Sequence, residues 1–120
     1  MTELIACLST GKGTWGHVAR LAQESEWEKV ILITNEFGQQ TFTPDQGKPV
    51  ELVVIDPNKS LKEMRDEILR HLKEKVRGME VGLNLVSGTG KEHMAVLGAV
   101  LRLGVGIRLV ALTKDGMEEV

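Results

Sequence analysis

The chain is 120 residues long, with 17 acidic and 15 basic residues, a formal net charge of -2, 42% hydrophobic residues and one cysteine. That length supports one domain, residues 1–120, with enough apolar material to bury a core. The charge balance excludes a broad basic surface for duplex nucleic acid, an aromatic content of 3% leaves few platforms for stacking bases, and a lone Cys7 builds neither a disulfide framework nor a multi-cysteine zinc site.

The first element in chain order is the apolar run Leu4-Ile5-Ala6-Cys7-Leu8, read as a strand. It leads into a glycine-rich loop, Ser9-Thr10-Gly11-Lys12-Gly13, and then a helix over 14–24 with Val18, Leu21 and Ala22 on one side. The second strand is 30–33. A parallel crossover after it needs a helix, and only 36–42, capped by Asn35, offers one; an extended excursion through Thr41-Phe42-Thr43 is the competing reading. The third strand is 52–55. Residues 60–76 give the clearest helix, with Leu61, Met64, Ile68, Leu72 and Val76 as an apolar stripe, Ser60 and Glu63 as a capping box and Gly78 as the stop. The fourth strand, 81–86, leads into a second glycine-rich loop, Ser87-Gly88-Thr89-Gly90-Lys91, and a helix over 91–103 closed by Gly104. The fifth strand is 107–112.

Strands that are unbroken apolar runs, rather than alternating ones, are those covered on both faces of a parallel sheet. The expected fold is therefore α/β: an open, mainly parallel five-stranded Rossmann-like sheet, order 3-2-1-4-5, with helices on both faces. In that order strand 1 lies beside strand 4, and their carboxyl ends form the topological switch point where ligands bind. The two glycine loops follow those two strands, which joins them in one anion-binding crevice. Glycine permits close approach of backbone N–H groups, hydroxyls add hydrogen bonds, lysine adds charge, and a helix N-terminus favours an anion. Lys91 at a helix N-terminus is electrostatically misplaced unless an anion is present. Each loop alone also reads as a tight strand-to-helix turn, with its lysine solvated.

Neither loop is a Walker A motif: Gly90-Lys91 has Leu85 and Glu92 at the positions of the first glycine and the hydroxyl, and Gly11-Lys12 is followed by Gly13. Gly11, Gly13 and Gly16 fit the dinucleotide spacing, and Glu36 lies about 20 residues beyond the loop, so a generic dinucleotide- or nucleotide-binding reading stays open. His17, His71 and His93 have no metal-ligand spacing; His17 and His93 follow the two loops, and His71 sits on the charged side of its helix. Trp15 and Trp27 read as packing residues, Trp15 being the better placed to touch a base. The stretch Met94 to Leu101 contains no polar residue, and a helix apolar on every side must be buried on every side, which points to a two-fold homodimer through the 91–103 helix, with cover by neighbouring helices of the same chain as the alternative. The single buried-type cysteine suits a reducing cytoplasm, no signal-peptide pattern opens the sequence, and no apolar run spans a membrane.

The segment Leu83-Asn84-Leu85-Val86-Ser87-Gly88-Thr89-Gly90-Lys91-Glu92-His93-Met94 resembles the signature of CARF domains, the CRISPR-associated Rossmann-fold sensors, in which a strand ends in a polar residue and a hydroxyl, followed by Gly-Gly-Thr-Lys and then Met. Here the order is Gly-Thr-Gly-Lys, with Met94 three residues on. Ser9 and Thr10 are similar to the family's other ligand loop. The resemblance implies a cytoplasmic homodimer of the antiviral defence type that binds a cyclic oligoadenylate across its two-fold through Ser9, Thr10, Gly11, Lys12, Gly13, Ser87, Gly88, Thr89, Gly90 and Lys91. It also implies the possibility of a ring nuclease that cleaves this messenger without a metal. There a ribose 2′-hydroxyl attacks the neighbouring phosphate, Lys91 stabilises the developing charge and Ser9 or Thr10 orients the ribose. Neither role calls for a cofactor.

Overall fold

The computed structural model describes residues 2–8, 12–24, 27–42 and 49–120. Strands β1 (Glu3–Cys7), β2 (Lys29–Thr34), β3 (Val50–Val54), β4 (Glu80–Asn84), β5 (Gly106–Thr113) and β6 (Gly116–Glu119) form one sheet. The helices are α1 (Trp15–Glu24), α2 (Glu36–Thr41), α3 (Leu61–Lys75) and α4 (Gly90–Leu103). The sheet has six strands in the order β3-β2-β1-β4-β5-β6. The first five run parallel and β6 turns back antiparallel on β5. The expectation of five strands is thus corrected. The sixth strand, Gly116-Met117-Glu118-Glu119, is too polar to register as an apolar run. Its signal is the turn before it: Gly116 has φ +102°, beside Asp115, as a tight hairpin requires.

Successive residues of β1 point to opposite faces and seed two cores. Ile5 and Cys7 join Met64, Ile68 and Leu72 of α3 and Ala95, Val96, Ala99 and Val100 of α4. Leu4, Ala6 and Leu8 join Val18 and Leu21 of α1 and Trp27 on the other face. Trp27 lies over Gly82 of β4, where its ring fills the space a Cβ would need, and its indole N–H donates to the Leu21 carbonyl. Burial on both faces holds for β1 and β2 but not for β5, whose residues are mostly half-buried or exposed.

The helix ends follow from local chemistry. The crossover after β2 is the short helix α2, with the Asn35 side chain accepting from Gly38 N–H at 2.9 Å. The Ser60 hydroxyl accepts from Glu63 N–H and donates to the Glu63 carboxylate, so the pair is not the reciprocal capping box expected. That box occurs instead at Thr89 and Glu92. Gly104 closes α4 in the left-handed conformation, φ +84°.

Candidate functional site

The register Ala6↔Asn84 makes β1 and β4 direct neighbours, so the chain leaves both strands side by side at the carboxyl edge of the sheet. From there α1 packs on one face and α4 on the other. This is the reversal point of the strand order, and the second glycine loop lies against the end of β1: a Cβ on Gly88 would sit 3.3 Å from Cβ of Cys7.

Each residue of the second loop has a definite place. Ser87 is buried, and its carbonyl accepts from His93 Nε2 at 2.9 Å. Gly88 has φ +112°, a conformation that L side chains avoid, and a Cβ there would also crowd His93 Nε2 and Glu92 Oε1. Thr89 is the N-cap of α4: its hydroxyl accepts from Glu92 N–H, while its own N–H donates to Glu92 Oε1 at 2.7 Å. Gly90 and Lys91 are the first two helical positions, whose N–H groups have no preceding turn to bond to. The Lys91 ammonium donates to the carbonyls of Pro57, at 2.9 Å, and Lys59, at 2.6 Å, tying α4 to the loop between β3 and α3. It is therefore not simply solvated. An ammonium carries three donors, and these two bonds leave one.

Of the first loop, Ser9, Thr10 and Gly11 lie outside the described residues. Lys12, Gly13 and Thr14 form a 3-10 turn that enters α1, and Gly13 is exposed.

The two histidines expected near the crevice go to opposite faces of the sheet. His17 Nε2 accepts from Leu112 N–H at 3.3 Å and lies 3.4 Å from Asn84 Nδ2; Asn84 also donates to the Val110 carbonyl at 2.8 Å. His17 thereby fastens α1 to β4 and β5, whereas His93 braces the second loop. Cys7 is no nucleophile: burial, reinforced by the Glu92 carboxylate, pushes its thiol up to about 12. Glu36, at the first position of α2, is exposed and accepts from Gln40 at 3.3 Å. Among the described residues no three His, Cys, Asp or Glu side chains gather to hold a metal ion, and no helix is long and apolar enough to cross a membrane.

No protein-family model matches this chain, and no curated protein matches it.

Two features of this edge escape a reading of the sequence. One is the bond from Lys91 to Pro57 and Lys59, partners more than 30 residues away with no side-chain signal. The other is an aromatic group. Trp15 at the start of α1 packs on Phe37 of α2 at 5.8 Å between ring centroids and on Phe42 at 5.8 Å, edge to face. Trp15 was the one signal pointing there. The helix-burial expectation for α4 needs revision as well. Ala95, Val96, Ala99 and Val100 are buried in the chain's own core, while Met94 and Leu101 stand 62% and 63% exposed.

Proposed function

We propose that the protein is a CARF-like module that binds a cyclic oligoadenylate at the carboxyl edge, between the segments that follow β1 and β4. The observation that carries this reading is the direct pairing of β1 with β4, since the two glycine-rich segments belong to those two strands. Three further points support it. The N–H groups of Gly90 and Lys91 open α4 without an internal acceptor, the positive end of the helix dipole faces outward there, and the remaining ammonium donor of Lys91 stands at the same helix end. In this role the phosphates of the ring lie against the second loop, and Ser9, Thr10, Gly11, Lys12 and Gly13 approach from the first. A symmetric ring suits a symmetric dimer. Met94 near the start of α4 and Leu101 near its end, both exposed, are the side chains that would meet a second copy across a two-fold axis.

The test is titration calorimetry of the folded protein with cyclic tetra-adenylate and cyclic hexa-adenylate. Binding of one of them, at one ring per two chains, is expected. Absence of heat with both overturns the reading. Lys91→Ala is expected to weaken that binding by about 1.5–3 kcal/mol, the range for a charge-assisted hydrogen bond. Incubation of labelled cyclic tetra-adenylate with excess chelator separates a sensor from a ring nuclease. Intact rings are the outcome for the sensor; linear products with cyclic phosphate ends assign turnover to the same site.

A further inference from the structure

The chain has four aromatic residues, two Trp and two Phe. Three of them, Trp15, Phe37 and Phe42, gather at one corner of the carboxyl edge, and the fourth, Trp27, is buried elsewhere in the core. In the sequence, Trp15 follows the first glycine loop after Thr14. Trp15 opens the helix that follows this loop, and β2, from which Phe37 departs, is the other neighbour of β1. The Thr34 hydroxyl at the end of β2 donates to the carbonyl of Leu8, where β1 gives way to the loop.

Phe37 is not placed as an ordinary packing residue. It is 38% exposed, whereas the aliphatic side chains of β1 and β2 beneath it are completely buried. Its backbone is nevertheless held firmly. Asn35 caps Gly38, and Gly38 is pressed so closely on Thr34 that a Cβ would fall on the Thr34 hydroxyl. A large ring is thus fixed at the rim with a third of its surface in water, backed by Trp15 at an interplanar angle of 49°. An exposed, immobilised aromatic is what a planar apolar ligand needs, because little side-chain freedom is lost when it is covered. β2 and β4 are the two neighbours of β1, so the aromatic corner and the amino end of α4 share the carboxyl edge of the sheet, one at each face.

We infer that Phe37, backed by Trp15 and Phe42, is the base-stacking subsite for the nucleobase of a nucleotide whose phosphate lies at the glycine loops. This rests on the nucleotide reading of the crevice and adds to it the recognition of the base.

The experiment is tryptophan fluorescence and calorimetry with AMP, ribose 5-phosphate and cyclic tetra-adenylate, using the wild-type, Trp15→Phe and Phe37→Leu proteins. AMP is expected to bind at least about tenfold more tightly than ribose 5-phosphate and to quench fluorescence saturably, with the quench absent in Trp15→Phe. Phe37→Leu, which keeps an apolar side chain, is expected to weaken AMP and the ring roughly tenfold without changing the affinity for ribose 5-phosphate. Ring binding with unchanged affinity in a folded Phe37→Leu protein overturns the subsite and leaves the proposed function standing. A Phe37-dependent quench by AMP without heat from cyclic tetra- or hexa-adenylate keeps the subsite and overturns the cyclic ligand. Should Phe37→Leu fail to fold, the wild-type comparison decides: equal affinity for AMP and ribose 5-phosphate, with no quench, overturns the subsite. No binding of any probe overturns both.

Discussion

The two ends of the sheet treat backbone amides in opposite ways. At the amino end, consecutive N–H groups of Arg77 and Gly78, between α3 and β4, donate to the carboxylate of Glu3, which is buried at the start of β1. The anion is part of the chain. At the carboxyl end, consecutive N–H groups of Gly90 and Lys91 open α4 with no acceptor among the described residues, while Thr89 and Glu92 cap each other beside them. One end is closed by a carboxylate of the chain itself, and the other by a reciprocal cap that engages Thr89 and Glu92 but not the two amides that follow Thr89. The lesson is that a glycine loop is informative as a site only after its internal caps have been subtracted. Of the second loop, the Thr89 hydroxyl and the Thr89 N–H are already engaged, and the amides of Gly90 and Lys91 are what remains.

The largest expected effect tests the closed end. Glu3→Ala removes a buried carboxylate and leaves the Arg77 and Gly78 amides to find water, and should lower stability by about 2 kcal/mol, read as a lowered urea midpoint at unchanged m value. A variant as stable as the wild type would mean that the amino end is not closed by Glu3, and the comparison would break. Next is Gly88→Ala at the open end. Its φ of +112° and the crowding against His93 Nε2, Cys7 and Glu92 should cost about 2 kcal/mol, and loss of the loop shape should reduce nucleotide affinity as well. Thr89→Ala should cost about 1 kcal/mol by removing the cap, while Thr89→Ser restores it; both changes leave the amides of Gly90 and Lys91 in place, so thermal melts with and without nucleotide separate capping from binding.

The smallest effect is a pH dependence. Glu51 on β3 is held below the usual carboxylate range, first by the Lys75 ammonium at 2.6 Å and then by Lys29. A lowered folded-state value means that its contribution is present above the ordinary value near 4.5 and is lost as pH falls through the folded value. Glu51→Gln should therefore lower the melting temperature slightly and evenly at neutral and slightly alkaline pH, and converge with the wild type as pH falls into the strongly acid range. The pair is partly open to water, so the effect is modest and shrinks with added salt.

Much of the fold was legible because its strands are apolar runs and its helices carry their own punctuation. The stripe at Met64, Ile68 and Leu72 is buried as its spacing implies, Asn35 caps a helix where only a weak one was expected, and Gly104 ends α4. β6 was missed because an edge strand facing water needs no apolar run, and Met117 is its one apolar side chain. The site was legible only in its location. The adjacency of two loops follows from strand order, but what each side chain does depends on partners far away in sequence. Lys91 reads as a misplaced cation until Pro57 and Lys59 are seen beneath it. His17 reads either as a packing histidine or as one that approaches the crevice, and its contacts with Leu112 and Asn84 decide for packing. Phe37 and Phe42 are unremarkable in a string of letters, and only the packing of α1 beside α2 assembles them around Trp15.

The central position of β1 bears on how the chain is made. β1 pairs with β2 on one side as soon as both exist, but its other side is completed only by β4, after β2, β3 and α3 have been synthesised. Until then an emerging chain carries a strand, apolar from Leu4 to Cys7, with one open edge. Such an edge is the part of a nascent α/β protein most prone to pair with the wrong neighbour, and it closes through a contact of large sequence separation, which slows folding. The polar β6, added last at the outer margin, carries Glu118 and Glu119 and ends the sheet in charge. Late closure of the sheet around β1, through a contact of large sequence separation, is the consequence of this one strand order.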